Sequence, residues 1–226
     1  MRRILVFLTC AVSLMHAHAA GLDSLTNADA SMGLKQALTD AAAIAVGRLG
    51  VENGYLGNPK VKIPLPPSLQ RVEGAMRVMG MRRQADELVV AMNRAAEAAA
   101  PEAKALLIDA VKKMTVQDAK QILTGSDTAA TEYFRRTTRP QLTERFLPIV
   151  KKATDRVGLA QQYNSIAGQG AALGLVREDQ ATIERYVTAK ALDGLYLMIG
   201  EQERAFRQNP LGASSDIVKK VFGALR

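Results

Sequence analysis

Helical periodicity constrains this chain more than any other feature of its sequence. Apolar residues recur every three to four positions almost from end to end, and residues typical of helix ends punctuate the pattern. The clearest segment covers residues 82–100, where the apolar side chains share one face and Asp86, Arg94 and Glu97 lie off it. The pattern predicts an all-α protein.

The predicted helices form a single globular domain of about eight or nine helices, covering residues 20–226. The first spans residues 23–49. The longest spans residues 178–208 and is apolar on more than one face, so we expect it to lie centrally. Capping-box sequences begin at Thr115 and Thr138, and each predicts that a new helix starts there. No internal repeat or low-complexity linker divides the chain.

Residues 50–67 interrupt the helical pattern. Turn signals come first, and Val61, Ile63 and Leu65 then alternate with lysine and proline. This alternation predicts an extended, Pro-rich strap with one apolar edge after the first helix. Two interpretations stay open: the edge packs on the helical core, or it pairs with a partner strand or forms the lip of a groove.

Residues 1–19 have the features of a secretory signal peptide. Arg2 and Arg3 precede an uncharged, mostly apolar run that ends in a small-residue motif at Ala19. Cys10 lies within that run and lacks a small residue before it, so we do not expect a lipoprotein. We expect cleavage near Ala19, export to a periplasm, and no membrane-spanning segment in the mature chain.

Cleavage near Ala19 would remove the only cysteine and both histidines. The mature protein would then have no disulfide, no thiol nucleophile, no Ser-His-Asp triad and none of the usual zinc ligands. No Ser-x-x-Lys, calcium-loop or phosphate-loop motif takes their place. We therefore predict no catalytic residues, no metal site and no cofactor, and we favour a binding protein over an enzyme.

Positive charge concentrates in residues 135–156, which hold seven cations and two acids in a chain of net charge +8. Arginine suits bidentate binding of phosphate or carboxylate. The alternative is an ordinary solvated face stabilised by ion pairs along the helix. The candidate anion-binding residues are Arg135, Arg136, Arg139, Arg145, Lys152 and Arg156.

An exported protein would meet particular anions: lipid headgroups, lipopolysaccharide phosphates and cell-wall carboxylates. We therefore predict contact with an anionic envelope component or with an envelope protein. We expect no nucleic acid, because aromatic residues for base stacking are scarce and tryptophan is absent. The candidate residues for a partner or a groove beside the cations are Val61, Ile63, Leu65 and Tyr133.

Stretches along nearly the whole mature chain carry a family resemblance. They read LTNADAS from 25, NPKVKIPLP from 58, QADEL from 84, MNRAAEAA from 92, LTG from 123, YFRRTT from 133, FLPIV from 146 and KALDGL from 190. With these, the chain resembles the exported proteobacterial proteins of domain-of-unknown-function family 4197. The resemblance implies an exported helical protein and no particular activity.

Two other functions remain open. A carboxylate-dependent peptidoglycan hydrolase needs neither histidine nor cysteine, and Glu87, Glu97 and Glu132 are its candidate acids. A periplasmic carrier of an apolar or lipid ligand could use a flexible, methionine-lined pocket. The methionines concerned are Met76, Met79, Met81, Met92 and Met198.

Overall fold

Helices with alanine- and leucine-rich faces build almost all of the structure, a computed structural model that describes residues 26–212 and 215–224. Within these ranges there are nine α-helices and no β-strand, which confirms the predicted all-α domain. The helices are α1 (Asn27–Leu49), α2 (Pro67–Val78), α3 (Arg82–Ala99), α4 (Ala103–Lys113), α5 (Val116–Leu123), α6 (Ala129–Thr154), α7 (Gly158–Ala172), α8 (Ile183–Gln208) and α9 (Asp216–Gly223). The predicted signal segment lies outside the described residues.

Helix α8 lies at the centre of the core, as its apolar pattern predicts. It packs against α6, α1 and α3, and Val187, Leu192 and Tyr196 are fully buried on its different faces. It begins at Ile183 rather than at position 178, because a short 3₁₀ turn precedes it and the Thr182 hydroxyl caps it by accepting the Arg185 N–H. No helix among the described residues is both long and apolar enough to cross a membrane.

Helix α6 is continuous through Thr138, so the helix start predicted there is wrong. The Thr138 hydroxyl lies 2.7 Å from the Phe134 carbonyl and 2.9 Å from the Tyr196 hydroxyl, and it caps no backbone N–H. Phe134, Leu142 and Phe146 are buried in the core on both sides of this point, so packing overrides the local capping signal. The capping box at Thr115 does form, and it opens α5.

The first turn of α6 is capped by a side chain of α8. The Thr128 side chain makes no capping bond, and the buried Glu203 carboxylate instead accepts the backbone N–H groups of Ala130 and Thr131, at 3.0 and 2.9 Å. A carboxylate also interacts favourably with the positive end of the helix dipole. Glu203 thus fixes the position of α6 on α8, and these two helices form two walls of the cavity described below.

The strap packs its apolar edge on the helical core. Val61, Ile63 and Leu65 are buried, whereas Lys62 and Pro64 between them are exposed. The predicted extended strap over residues 50–67 is shorter in the structure, because turns occupy residues 52–57 and 59–61 and leave residues 62–66 as the extended segment. It ends at position 66, since α2 begins at Pro67, where a missing N–H costs no helical hydrogen bond.

Helix α3 holds the strap through two side chains one turn apart. Asn93 hydrogen-bonds both backbone groups of Ile63, and Glu97 accepts the N–H groups of Tyr55 and Leu56, each at 3.0 Å. Glu97 is therefore buried, and its predicted place off the buried face of α3 is wrong. The reason is that the turn at the start of the strap offers two backbone donors that only a buried acceptor can satisfy.

Candidate functional site

A cavity of about 430 Å³ opens between the strap, α6 and α8, and we call it the strap cavity. Charged side chains dominate its rim, with five cations and two carboxylates, a net charge of +3. The cations are Lys60, Lys62, Arg135, Lys190 and Arg204, and the carboxylates are Glu132 and Asp193. A cavity of this size and charge suits a small anionic group.

Local geometry explains how these charges reach one place. In the strap, Lys60 and Lys62 are exposed, whereas Val61 and Ile63 between and after them are buried against the core. A turn at residues 59–61 places Lys60, and the extended segment that follows it places Lys62. On α8, the lining residues recur at helical spacing from Lys190 to Arg204 and so share one face. Thr131, Glu132 and Arg135 line the cavity from the first turns of α6, and Thr128 lines it from the position just before that helix.

The floor of the cavity is closely packed. The Tyr55 hydroxyl donates to the Ala191 carbonyl at 2.7 Å, which pins the start of the strap to α8. Gly194 allows this close approach, because a Cβ there would lie 2.9 Å from the Tyr55 ring and 3.1 Å from the Val61 Cβ. Tyr196 completes the floor, and burial raises the pKa of its hydroxyl, which keeps the group neutral.

Two of the five cations are held by carboxylates. Lys60 lies 2.7 Å from Glu201, and the Arg135 guanidinium lies 3.4 Å from Asp193 and 4.9 Å from the centre of the Tyr196 ring. The other three, Lys62, Lys190 and Arg204, form no ion pair with any residue in the described part of the chain. Their charges are available to an anion in the cavity.

The six predicted anion-binding residues separate in the structure. Arg135 lines the strap cavity, and Arg139 reaches the same Asp193 at 2.9 Å but lines a second cavity of about 730 Å³. Arg136 lies over the Tyr133 ring, 5.7 Å from its centre. The remaining three are exposed and do not line the strap cavity: Arg145, Lys152 and Arg156.

The predicted groove residues divide in a similar way. Val61 and Ile63 line the strap cavity from its inner side. Leu65 is buried beyond it, and the Tyr186 hydroxyl donates to the adjacent Pro64 carbonyl at 3.2 Å. Tyr133 is buried beside α4, where its hydroxyl donates to the Ala110 carbonyl at 2.9 Å.

Sequence reasoning missed four of the five cations of the strap cavity: Lys60, Lys62, Lys190 and Arg204. A partial signal exists on α8, where Lys190, Asp193 and Arg204 fall on one helical face. Nothing in the sequence joins that face to the lysines of the strap.

The three candidate acids of a hydrolase have different surroundings. Glu87 is exposed and pairs with Arg83 at 3.1 Å, whereas Glu132 is exposed on the rim of the strap cavity. Burial raises the pKa of Glu97, but hydrogen bonds from Leu56, Arg94 and Tyr55 outweigh that effect and hold the pKa below its ordinary value. A general acid needs the opposite shift.

The methionines are also spread over different environments. Met92 and Met198 are buried in the main core, and Met79 is exposed at the end of α2. Met76 and Met81 line an apolar groove between α2 and α7.

No group of three or more His, Cys, Asp or Glu side chains in residues 26–212 and 215–224 is arranged to hold a metal ion. Comparison with the curated proteins and with the solved structures gives no match. A family model described as "Protein of unknown function (DUF4197)" matches residues 24–223, which is most of the chain. The chain therefore belongs to the DUF4197 family.

Proposed function

We propose that this protein binds an anionic group, a phosphate or a carboxylate of an envelope component, in the strap cavity. The observation that carries the proposal is the set of three cations, Lys62, Lys190 and Arg204, that meet at one cavity without an ion-pair partner in the described part of the chain. Like charges held close together repel one another, and a bound anion would relieve that repulsion.

The paired and the unpaired cations of the cavity have different roles, and both support binding. Asp193 and Glu201 hold Arg135 and Lys60 in place, so these two cations shape the walls. Arg204 can donate two parallel hydrogen bonds to a phosphate or carboxylate, while Lys62 and Lys190 add mobile point charges. The volume of about 430 Å³ lies in the range of roughly 300–1,000 Å³ in which proteins bury small ligands.

The buried carboxylates favour binding over hydrolysis. Glu97 accepts hydrogen bonds from the strap, Glu203 caps α6, and Glu184 accepts both hydrogen bonds from the Asn164 amide, at 3.1 and 3.0 Å. Each of these carboxylates is engaged in holding the fold. None of the three lines the strap cavity, so none can act on a ligand there.

The compartment is part of the proposal. The signal-peptide pattern in residues 1–19 supports export to a periplasm, where the anions are phosphates of lipid headgroups or lipopolysaccharide and carboxylates of the cell wall. Pyrophosphate and citrate serve as probes for these two chemistries.

Isothermal titration calorimetry at low ionic strength tests the proposal. The double variant Lys62→Glu/Lys190→Glu reverses two cations of the cavity, and Arg145→Glu/Lys152→Glu makes the same charge change elsewhere on the surface. We expect the first variant to bind the preferred probe at least about tenfold more weakly and the second to stay within about twofold of the wild type. Equal losses in both variants, or no heat of binding with either probe, would contradict the proposal.

A further inference from the structure

A second site lies between α2 and α7 and is lined by apolar side chains around a volume of about 520 Å³; we call it the α2–α7 groove. Helix α2 contributes Leu69, Val72 and Met76, which share one face because they are spaced by three and four positions. Helix α7 contributes Ile166 and Ala167 from the opposite wall. The groove is separate from the strap cavity and shares no lining residue with it.

The walls of the groove carry no charge. None of its thirteen lining residues is Asp, Glu, Lys or Arg. The wall formed by α7 belongs to a run of twenty uncharged residues, 157–176, in a chain whose overall charged fraction is 23%. A surface helix normally carries charged residues on its outer face, and α7 carries none. This wall therefore suits an uncharged, apolar occupant.

Large apolar side chains of the groove are exposed to solvent. Val72 is 47% exposed, Ile166 is 74% exposed and Leu175 is 80% exposed. Single exposed apolar residues are ordinary, but three around one concave surface mark a binding site. Covering them would remove apolar area from water, which is favourable.

Polar side chains lie in the first part of both walls. Ser68 comes from the first turn of α2, and Gln162 and Tyr163 come from the first half of α7. The Tyr163 hydroxyl donates to the Gln180 carbonyl at 2.7 Å, which fixes its ring in the wall. The groove therefore has the polarity of an amphiphile, with hydrogen-bonding groups in one region and apolar surface in the rest.

We propose that the α2–α7 groove binds one acyl chain of a lipid amphiphile, with the polar head near Ser68 and Gln162. Met76 and Met81 suit such a ligand, because thioether side chains adapt to a flexible chain. Three arginines of α2 and α3 are paired with carboxylates of their own helix: Arg77 with Glu73, Arg82 with Asp86 and Arg83 with Glu87.

The test uses a dansyl-labelled undecanoic acid as the fluorescent probe and sodium palmitate as the competitor, with the full chain purified without detergent. Val72→Glu and Ile166→Glu each place a charge in the groove, and both positions are exposed enough for the fold to tolerate it. Val116→Glu is the matched control, because Val116 is 51% exposed on α5 and does not line the groove.

We expect probe fluorescence that palmitate reverses, at least about tenfold weaker binding in both groove variants, and binding within about twofold of the wild type in the control. Equal binding in all four proteins overturns the proposal. A lack of probe binding also overturns it. In that case the wild type is tested for sedimentation with phosphatidylethanolamine–phosphatidylglycerol vesicles and for a dimer that Val72→Glu dissociates. Those two results would assign the groove to a bilayer or to a second copy of the chain.

Discussion

The side-chain amide of Asn93 pairs with both backbone polar groups of Ile63. Its Oδ1 atom accepts the Ile63 N–H at 2.8 Å, and its Nδ2 atom donates to the Ile63 carbonyl at 2.8 Å. Asn93 thus takes the place that a neighbouring β-strand would have, and it satisfies an extended segment inside an all-helical protein. Lys60 and Lys62, which come just before Ile63 in the strap, line the strap cavity, so the pairing also positions the site.

Asn93→Ala should destabilise the fold by about 2–4 kcal/mol, because it leaves a buried N–H and a buried carbonyl of Ile63 without partners. Urea denaturation measures the free energy of unfolding. Gln36→Ala is the control, since it removes a hydrogen bond of 2.9 Å to Asp40 on the exposed face of α1 and should cost under about 0.5 kcal/mol. Equal effects of the two substitutions would show that the strap does not depend on Asn93.

Glu97→Gln should cost about 1–3 kcal/mol at neutral pH, because the amide loses the charged hydrogen bond that Arg94 donates at 2.6 Å. The pKa of Glu97 is lower in the folded protein than in the unfolded chain. Its stabilisation is therefore fully present above the unfolded pKa of about 4.3 and is lost as the pH falls through the folded pKa. The difference between wild type and variant should shrink below about pH 4. A constant difference from pH 7 to pH 3 would contradict this role.

Gly194→Ala should destabilise the protein by about 1–3 kcal/mol, because its Cβ would press on Tyr55 and Val61 in the floor of the strap cavity. Gly47 is the matched control within α1, since a Cβ there would meet no atom within 4 Å. Gly47→Ala should therefore be neutral or stabilising by up to about 1 kcal/mol. Thermal denaturation of the two variants measures these changes in stability. A Gly194→Ala protein as stable as the wild type would contradict the prediction, because it would show that the floor can relax.

Spectrophotometric titration at about pH 10 should detect less tyrosinate in the native protein than in the unfolded chain. Burial raises the pKa of all five tyrosines, and that of Tyr186 to about 12. Because the folded pKa values are raised, the stabilisation that these tyrosines contribute is fully present below the unfolded pKa of about 10 and is lost as the pH rises through the folded values. The same protein in urea should titrate near pH 10. A native protein that titrates in the same pH range as the protein in urea would contradict the packing described here.

The helical fold and the strap follow from patterns that the sequence carries locally. Helical spacing of apolar residues predicts the helices, and alternation at Val61, Ile63 and Leu65 predicts the buried edge of the strap. The two capping-box sequences show the limit of such reasoning. Thr115 caps α5, but Thr138 is an internal residue of α6, because its hydroxyl bonds to Phe134 and Tyr196 and the helix is packed on both sides of it.

The site depends on contacts between distant parts of the chain. The density of cations around Arg135 in the sequence predicts it as a site residue. Lys62 and Arg204 become neighbours of one cavity only because the strap lies beside α8, which no local pattern predicts. The Lys60–Glu201 pair joins residues that are 141 positions apart. The wrong prediction for Glu97 has the same cause, since its partners Tyr55 and Leu56 belong to a turn that lies 42 and 41 residues earlier in the chain.

A two-dimensional NMR titration with pyrophosphate tests the central claim most directly, because it reports where the anion binds. The strap-cavity account predicts that saturable shift changes concentrate in the backbone amides of residues 60–63 and 190–204, and that Lys62→Glu/Lys190→Glu abolishes them. Changes centred on Arg145, Lys152 and Arg156, or small changes scattered over all basic residues, would contradict it.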